Sequence, residues 1–371
     1  MKRILILGTS NVQKDAVDAC HALGLEVFTC SNTGSGPAAR AADHSARIDI
    51  AADEAVRQYA EASQVDWIYS VGSDLAMPTA CRVSTELGLP TFISPRTAET
   101  CHSKPRLRAA LGPEFPGNLR YQVLSEPAAG LVNLVYPCMI KPSDSQGGRG
   151  VSRLDSPANL PAAFQAAERF STEKSVILEE FVPGPEVSAN LYLVDGVVLF
   201  YAVSERRIWP QFSSGIVRSH HFPAGVVDEA AQARILKMTQ SACRLLGIAN
   251  GPAYFQIKLN GGQPFLIEAS PRLDGCHLWR LIEYSTGVDL LRITLEHLVG
   301  SPPRPEQLIP TRCQTARLEF DSQRPGQSAI ARPVPASAFY HEDYYHPGEV
   351  VRPVNGLLEK VGYSIFRDDP A

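Results

Sequence analysis

"CMIKPSDSQGGRGVSR", residues 138–153, is the stretch of sequence that decides the fold. Lys141 comes before Gly147, Gly148 and Gly150, whereas a P-loop places its lysine after the glycines, in G-x-x-x-x-G-K-[ST]. Glycine lets a backbone approach an anion closely, and a glycine-rich flap over phosphates also excludes water. Read alone, the loop equally fits a plain hairpin turn. The stretch therefore suggests a phosphate site that is not a P-loop.

Length and composition indicate a soluble protein of several domains. The chain has 371 residues, of which 44% are hydrophobic and 20% charged, and its net charge is −4, which gives no sign of a nucleic-acid or anionic-membrane partner. The eight cysteines are scattered without a C-x-x-C pair, as in reduced chains without a zinc site. No apolar run reaches the roughly 18 residues of a membrane helix. We expect a cytoplasmic location.

The pattern of strands and helices predicts three parts and a tail. Residues 1–95 alternate apolar strands with amphipathic helices and end in a predicted strand at 89–94, which indicates an N-terminal doubly wound parallel sheet domain. Residues 96–185 mix both element types, with a helix beginning near Ser103. Residues 186–300 predict antiparallel hairpins and helices at 228–246 and 277–299. A proline-rich linker leads to a small β-rich C-terminal segment at 311–371. The predicted fold class is α/β and α+β.

Two lysines and a strand end are candidates for nucleotide contacts. Lys104 lies at a predicted helix start, and Lys141 lies between apolar neighbours on a strand, where a lysine needs a charge partner such as phosphate. Taken singly, each fits a solvent-facing lysine as well. In "EEFVPGPE" (179–186) a strand ends before a turn, so that its main chain could pair with an adenine edge and Glu186 with ribose hydroxyls. The alternative is an ordinary surface turn with solvated glutamates.

A second hairpin carries a candidate metal site. Gln256 and Glu268 flank the turn at 260–262, and facing strand positions place both side chains on one side of the sheet. Oxygen ligands of this kind suit Mg²⁺, which also binds phosphate oxygens. Ser270 and Arg272 follow at alternate positions and point the same way. The alternative is a polar face at a sheet edge.

Taken together, the order and spacing of these pieces resemble the ATP-grasp superfamily over residues 1–300. The resemblance implies a doubly wound domain (1–95) followed by two α+β subdomains that clasp ATP, a small one (96–185) and a large one (186–300). Lys104 would lie near the α-phosphate, and Lys141 would contact phosphate and the adenine side. Residues 143–150 would form the flexible flap over the β- and γ-phosphates, with Ser143, Ser145, Gly147 and Gly148 among its ATP contacts.

The resemblance also assigns the hinge and the metal set. "EEFVPGPE" resembles the hinge of D-alanine–D-alanine ligase, which implies that Glu179 faces adenine, that Glu180 and Val182 bind adenine through main chain, and that Glu186 binds ribose. Gln256, Glu268 and Ser270 resemble the metal set of carbamoyl phosphate synthetase, with Mg²⁺ bound as two ions. Ser270 stands where that motif has asparagine, which places the second ion in question. Arg272 would steady the transferring phosphoryl group.

The implied activity is ATP-dependent ligation of a carboxylate to an amine through an acyl phosphate, releasing ADP and phosphate. Lys141 and Arg272 would stabilise the developing charge. The chain resembles the L-amino-acid ligases, so an amino-acid substrate is the leading expectation. The alternatives are a purine-pathway enzyme that uses a ribosyl amine or bicarbonate, and an ATP-binding regulatory protein without ligation. An oxidoreductase is disfavoured because the N-terminal turn lacks G-x-G-x-x-G.

Small-molecule substrates are the expected partners, and their contacts have several candidates. Arg207 could hold a carboxylate, Asp274 an amino group, and His220 or His277 the proton of an amine; each of these also fits a purely structural role. Residues 8–11 and 72–74 lie at the carboxyl ends of predicted parallel strands, where ligands bind in open sheets. The resemblance leaves open a homodimer, because dimers are common among such ligases.

Overall fold

The N-terminal domain is a parallel sheet with helices on both faces, as predicted. The computed structural model describes residues 1–127, 132–212, 214–354 and 356–368. The elements are β1 (Arg3–Leu7), α1 (Asn11–Ala22), β2 (Glu26–Ser31), α2 (Pro37–Ala41), β3 (His44–Arg47), α3 (Asp53–Ser63), β4 (Trp67–Tyr69) and α4 (Met77–Glu86). The strand order is β3-β2-β1-β4. Ile4 and Ile6 of β1 pack with α1, whereas Leu5 and Leu7 pack with α3 and α4, because successive strand residues point to opposite faces.

The predicted strand at 89–94 is wrong. Residues 89–94 contain no strand and lead directly into the next helix. Pro90 has no N–H to donate to a sheet ladder, and the Thr91 hydroxyl donates locally to the Ile93 carbonyl at 3.3 Å. The apolar character of this segment does reflect burial, since Ile93 is buried, but the segment packs without regular secondary structure.

The small subdomain is an antiparallel sheet with helices before and within it. Its elements are α5 (Pro95–His102), α6 (Lys104–Leu111), β5 (Tyr121–Leu124), β6 (Cys138–Pro142), β7 (Ser152–Leu154), α7 (Leu160–Glu168) and β8 (Val176–Glu180). The strand order is β5-β8-β6-β7. The glycine loop joins β6 to β7, and the predicted helix near Ser103 begins at Lys104. Residues 128–131 of this predicted subdomain lie outside the described residues.

The remaining strands form one antiparallel sheet of eight. Its elements are β9 (Glu186–Val194), β10 (Val197–Ile208), β11 (Val217–Phe222), α8 (Glu229–Leu246), β12 (Gly251–Asn260), β13 (Gln263–Ser270), α9 (Leu278–Thr286), α10 (Leu290–Leu298), β14 (Ala316–Gln323), β15 (Ala338–Asp343) and β16 (Glu359–Arg367). The order is β13-β12-β9-β10-β11-β14-β16-β15. Both predicted hairpins are present.

Two expectations for this region need adjustment. The predicted helix at 277–299 is two helices, broken at Gly287, whose φ of 81° favours glycine and whose added Cβ would lie 2.3 Å from the Thr311 hydroxyl. The segment 311–371 does not stand apart, because β14, β16 and β15 extend the sheet begun at residue 186. Residue 355 and residues 369–371 of that segment, like residue 213, are outside the described part of the chain. The four domain boundaries remain a prediction.

One hydrophobic core joins the N-terminal domain to the large sheet. Val17 and Cys20 of α1 lie in the same buried cluster as Leu291 and Leu295 of α10 and Leu318 of β14. Burial of apolar surface at this junction fixes the carboxyl ends of the parallel strands beside the antiparallel sheet. In the part of the chain that the structure describes, no helix is long and apolar enough to cross a membrane.

A buried charge network ties the small subdomain to the large sheet. Glu179 on β8 has no exposed side-chain surface and accepts from Arg108 Nε at 2.7 Å and from Lys141 Nζ at 2.6 Å. Arg108 on α6 also donates to the carbonyls of Leu266 and Ile267 on β13, each at 2.8 Å. Burial alone would raise the pKa of Glu179, but the two cations outweigh it and hold the pKa at about 2. The carboxylate's stabilising effect is full above its unfolded pKa of about 4.3 and is lost as pH falls towards 2.

We expect Arg108→Met to lower the free energy of unfolding by about 3–5 kcal/mol, because it removes one partner of a buried ion pair. Urea unfolding at neutral pH measures the change. The matched control is Arg106→Met on the same helix, whose side chain is 56% exposed and whose loss should cost less than about 0.5 kcal/mol. Equal stability losses in the two variants would contradict this assignment.

Candidate active site

A cavity of about 540 Å³ lies where the N-terminal domain, the glycine loop, the large sheet and the C-terminal segment meet. Its walls include seven of the predicted site residues: Lys141, Gly147, Gly148, Gln256, Glu268, Arg272 and Asp274. Residues from the two predicted strand ends, such as Ser10 and Asp74, line it as well. The cavity is of the size that small-molecule sites occupy. It brings together residues that are more than 260 positions apart in sequence.

The two predicted lysines hold different positions. Lys141 reaches the cavity wall while its ammonium is paired with Glu179. Lys104 is buried, donates to the Ser145 carbonyl at 2.6 Å and lies 3.9 Å from Glu268 Oε1. Burial lowers the pKa of Lys104, and the nearby Lys141 lowers it further. Lys104 lines a small pocket beside the main cavity rather than the cavity itself.

The glycine loop lies over the cavity and packs against the loop after β10. Gly148 has a φ of 72°, and an added Cβ would lie only 2.5 Å from the Ser214 carbonyl, so only glycine permits this close approach. The serines of the loop face inward. Ser143 is fully buried and accepts from the Ser175 hydroxyl at 2.8 Å. The Ser145 hydroxyl is buried without a hydrogen-bond partner among the described residues.

Gln146 is a site residue that sequence reasoning missed. Its side-chain Oε1 accepts from the backbone N–H groups of Asp74 at 2.8 Å and Leu75 at 3.2 Å. Arg149 in the same loop donates through Nε to the Gln146 carbonyl at 3.1 Å. The side chain therefore fastens the glycine loop to the N-terminal domain. No local signal marks a glutamine as such a contact, because its partners are main-chain groups 71 and 72 positions away.

None of the predicted hinge residues, 179–186, lines the cavity. Glu179 lies inside the buried charge network and not at the cavity surface, which corrects the expectation that it faces a ligand. The Glu180 side chain accepts from the Arg120 N–H at 2.9 Å and from Arg120 Nε at 3.1 Å. Val182 is buried, and none of the described residues hydrogen-bonds to its main chain. Its main-chain groups are the part of the hinge left for a ligand to pair with.

The predicted ribose carboxylate is already held by protein groups. Glu186 at the start of β9 accepts from Gln256 Nε2 at 3.0 Å and pairs with Arg206. Lys258 Nζ lies 3.6 Å from its other oxygen. Burial alone would lower the pKa of Arg206, but the charge of Glu186 outweighs it, so the Arg206 pKa is raised and the arginine stays charged. Glu186 could therefore bind ribose hydroxyls only by giving up one of these protein partners.

The metal hairpin has the predicted register. Gln256 and Glu268 are directly opposite each other on β12 and β13. The Glu268 side chain is 36% exposed and faces the cavity, so it can hold one Mg²⁺ that completes its shell with phosphate oxygens and water. Ser270 is buried against Asp74 and does not line the cavity. In the described ranges, no three His, Cys, Asp or Glu side chains converge as a protein-only metal site.

The Arg272 guanidinium is oriented by Asp74 of the N-terminal domain. Arg272 Nε donates to Asp74 Oδ1 at 2.9 Å, a second guanidinium nitrogen pairs with Oδ2, and Nη1 donates to the Leu273 carbonyl at 2.8 Å. Burial alone would raise the pKa of Asp74, but the Arg272 charge outweighs it and the pKa is lowered. Both groups are ionised, and the bidentate contact fixes the plane of the guanidinium. The sequence signal for Asp74 was its place at the end of β4.

Three of the four predicted substrate contacts point elsewhere. Arg207 is 53% exposed and pairs with Glu205 at 2.8 Å, because strand alternation turns its neighbour Arg206 to the cavity instead. His220 is fully buried beneath the cavity. His277 is also fully buried and contacts Asp15 of α1 at 2.8 Å, where it joins two domains. Of the four, Asp274 alone lines the cavity.

The C-terminal segment supplies part of the cavity wall. Tyr344, Tyr345, Arg352 and Lys360 line it together with Cys276 of the large sheet region. Sequence reasoning assigned this segment no site residue. Its contribution depends on β16 pairing with β14 and β15, which are long-range contacts without a local pattern.

Comparison with known proteins agrees with this geometry. A family model described as an ATP-grasp domain matches residues 134–278. A formate-dependent phosphoribosylglycinamide formyltransferase of Photobacterium profundum is 23% identical over 350 residues, which cover 89% of this chain and 85% of that protein. The enzyme of the same name from Mycobacteroides abscessus is 27% identical, and there the match covers 48% of this chain and 47% of that protein.

Solved structures share the whole fold at low identity. An L-amino acid ligase from Bacillus licheniformis superposes with a TM-score of 0.80 at 20% identity, covering 99% of this chain and 93% of that one. An N5-carboxyaminoimidazole ribonucleotide synthetase from Thermus thermophilus has a TM-score of 0.74 at 21% identity and covers 99% and 94%. Lys141, the glycine loop and the metal hairpin all fall within the matched family segment. Residues 134–278 therefore form an ATP-grasp domain, and the chain as a whole shares the fold of these solved structures.

Proposed function

We propose that the protein joins a carboxylate to an amine, with an amino acid as one substrate, through an acyl phosphate formed at the expense of ATP. The observation that carries the proposal is the convergence of Lys141, the glycine loop, Glu268 and Arg272 on one cavity. Phosphoryl transfer needs positioning and charge stabilisation more than covalent chemistry from the protein. These residues offer two cations, a metal-binding carboxylate and a set of loop amides.

The proposed reaction has two steps that balance. A substrate carboxylate oxygen bonds to the γ-phosphorus of ATP while the bond from that phosphorus to the β-phosphate oxygen breaks, which releases ADP. The amine nitrogen then bonds to the acyl carbon, phosphate leaves with the electron pair of the C–O bond, and the nitrogen loses a proton. ATP and Mg²⁺ supply the activation. The protein binds both substrates in line and excludes water that would hydrolyse the acyl phosphate.

Each wall of the cavity has a distinct part in this proposal. Lys141 and the fixed Arg272 guanidinium stabilise charge on the transferring group. Glu268, with Gln256 opposite it, holds one Mg²⁺; the buried place of Ser270 argues against a second ion bound through its hydroxyl. The unpaired main chain of Val182 would bind the adenine edge. Two observations support water exclusion: the contact of Gln146 with the N-terminal domain and the close packing of the glycine loop.

A second candidate is a purine-pathway ligase that acts on a ribosyl amine or bicarbonate. It is favoured by the relatives named formate-dependent phosphoribosylglycinamide formyltransferase, one of which aligns with 89% of this chain. An amino-acid substrate is favoured by the similarity of the fold to that of the L-amino acid ligase. The two candidates share the ATP half of the site and differ in the substrate.

A panel of acids and amines tests the proposal. The protein is incubated with ATP and Mg²⁺, ADP and phosphate release are measured, and products are identified by mass spectrometry. We expect ADP release that requires both an amino acid and a second substrate. ADP release only with ribosyl amines would favour the second candidate. Tight ATP binding without ADP release across the panel would instead indicate a regulatory ATP-binding protein.

We expect Glu268→Gln to reduce ADP formation by about 10²–10³-fold, since it removes the cavity carboxylate that holds the metal and neutralises developing charge. The measurement is ADP release with saturating substrates, with thermal unfolding to verify the fold. Glu229→Gln, at an exposed helix start, is the matched control and should keep wild-type activity. Full activity in Glu268→Gln would contradict the metal assignment.

We expect Gln146→Ala to uncouple the reaction. Loss of the two bonds to the backbone of residues 74 and 75 loosens the glycine loop, water enters, and acyl phosphate is hydrolysed before the amine attacks. With the substrate pair that the panel identifies, the amounts of ADP and amide are compared; wild type should give equal amounts and the variant an excess of ADP. Gln232→Ala, exposed on α8, serves as control. Equal amounts in both variants would show that the contact has no role in water exclusion.

A further inference from the structure

Tyr254 on β12 forms part of the cavity floor beside the metal hairpin. It lines the cavity and stands two positions before Gln256, so both side chains point to the same face of the sheet. Ser270 lies opposite Tyr254 on β13, and Asn190 lies opposite it on β9. Only 5% of Tyr254 is exposed. The tyrosine is therefore fixed by its neighbours, and the small uncovered part of its surface is available to a ligand.

The Tyr254 hydroxyl has one polar neighbour among the described residues. It lies 3.3 Å from Ser188 Oγ, which is long for a hydrogen bond between two hydroxyls, since these are usually about 2.5–3.0 Å. A phenol can both donate and accept a hydrogen bond. The single contact with Ser188 uses at most one of these two capacities.

The two arginines on this part of the floor are already engaged. The Arg272 guanidinium lies 6.0 Å from the centroid of the Tyr254 ring and pairs with Asp74. Arg206, two strands away on the same face, pairs with Glu186. Tyr254 is therefore a neutral hydrogen-bond donor that stands between two fixed cations.

A layer of buried polar side chains lies under the hydroxyl. Ser188 is fully buried and is directly opposite Ser204 on β10. The Ser204 hydroxyl and the Asn190 Nδ2 are both buried without a hydrogen-bond partner among the described residues. Buried polar groups that the protein leaves in this way are satisfied by ordered water. Water bound in this layer can donate to Ser188, which can then donate to Tyr254 and leave the phenolic O–H for a ligand.

The hydroxyl stands across the sheet from the metal carboxylate. Ser188 is directly opposite Gln256, and Gln256 is directly opposite Glu268. Because neighbouring strands are about 4.8 Å apart, roughly 10 Å separates the backbone of Ser188 from that of Glu268. In the proposed function the acyl phosphate lies within this interval, with its phosphoryl end towards Glu268. Its acyl end then meets the Tyr254 hydroxyl.

We propose that Tyr254 is a further catalytic residue, which donates a hydrogen bond to the carbonyl oxygen of the acyl phosphate while the amine attacks. The inference rests on the proposed function and deepens it. As the amine nitrogen bonds to the acyl carbon, an electron pair of the carbonyl moves onto its oxygen, and the Tyr254 O–H stabilises that charge. The carbonyl then re-forms, phosphate leaves with the electron pair of the C–O bond, and the proton of the amine passes to it. Tyr254 keeps its own proton throughout.

The test separates the two steps of the reaction in Tyr254→Phe, which keeps the ring and removes only the hydroxyl. Wild type and variant, each loaded with ATP and Mg²⁺, are mixed with the common L-amino acids as carboxylates and hydroxylamine as the amine. ADP and hydroxamate are measured during the first turnover and at steady state. We expect first-turnover ADP formation within about twofold of wild type and hydroxamate formation slowed by about 10²-fold, as for the loss of one oxyanion donor.

A second variant and a matched control accompany this test. Ser188→Ala keeps the phenol but removes its buried partner, so we expect the same selective loss of hydroxamate formation at a smaller size, about three- to tenfold. Tyr201→Phe removes a hydroxyl that donates to the Gln232 carbonyl at 3.2 Å on the α8 side of the sheet. It should match wild type in both steps. All three variants should bind Mg-ADP with unchanged affinity, measured by calorimetry.

The outcomes separate this inference from the proposed function. Hydroxamate formation at the wild-type rate in Tyr254→Phe would overturn the catalytic role and leave the ligase proposal intact. A parallel loss of ADP and hydroxamate, or weaker Mg-ADP binding, would also overturn it, because the hydroxyl would then act in folding or in phosphoryl transfer. If Tyr254→Phe does not fold, Ser188→Ala decides, and a wild-type hydroxamate rate there overturns the role. Absence of both products with the wild-type protein would contradict the proposed function itself, and the role of Tyr254 with it.

Discussion

The Glu179 carboxylate between Arg108 and Lys141 is the interaction on which the site depends. It stands at the meeting point of α6, β6 and β8, and Arg108 extends the contact to the backbone of β13. A buried ionised group is tolerated only when it is paired and fully hydrogen-bonded, so the four elements hold one relative position. That position places the Lys141 ammonium and the Glu268 carboxylate on walls of the same cavity. In the proposed function, the geometry of phosphate binding would thus be set by a carboxylate that does not line the cavity.

The cavity combines balanced and unbalanced charges in a spatially ordered way. Around the nucleotide half, Lys141 and Arg272 are each fixed by a carboxylate, which orients them before any ligand arrives and lowers the cost of reorganisation during phosphoryl transfer. On the C-terminal side, Lys360 and Arg352 have no carboxylate partner among the described residues.

Local sequence patterns predicted most of the fold, and seven of the residues that they suggested for the site line the cavity. The hairpin with Gln256 opposite Glu268 follows from two-residue periodicity and a glycine turn, and the N-terminal sheet follows from alternating strands and helices. The prediction of a strand at 89–94 was wrong because Pro90 has no N–H to donate to a sheet. The apolar run had been given more weight than this local signal. The prediction that Arg207 contacts the substrate was displaced by one position, because successive strand residues point to opposite faces and Arg206 points to the cavity instead. Gln146 and Lys360 reach the site through packing between distant elements, which periodicity does not report.

The unbroken sheet from β13 to β15 has a consequence for how such an enzyme diversifies. In the proposed function, the strands of the metal hairpin and the strands of the C-terminal segment share one hydrogen-bonded framework, yet they lie towards opposite ends of it and come from different stretches of the chain. The cavity-lining side chains of β16 and of the loop before it are distinct from its inward side chains, such as Tyr363 and Ile365, which belong to the core shared with the N-terminal domain. In the proposed function, residue changes confined to the cavity-lining positions of this segment would alter the substrate side of the cavity while leaving Lys141, Glu268 and Arg272 in place.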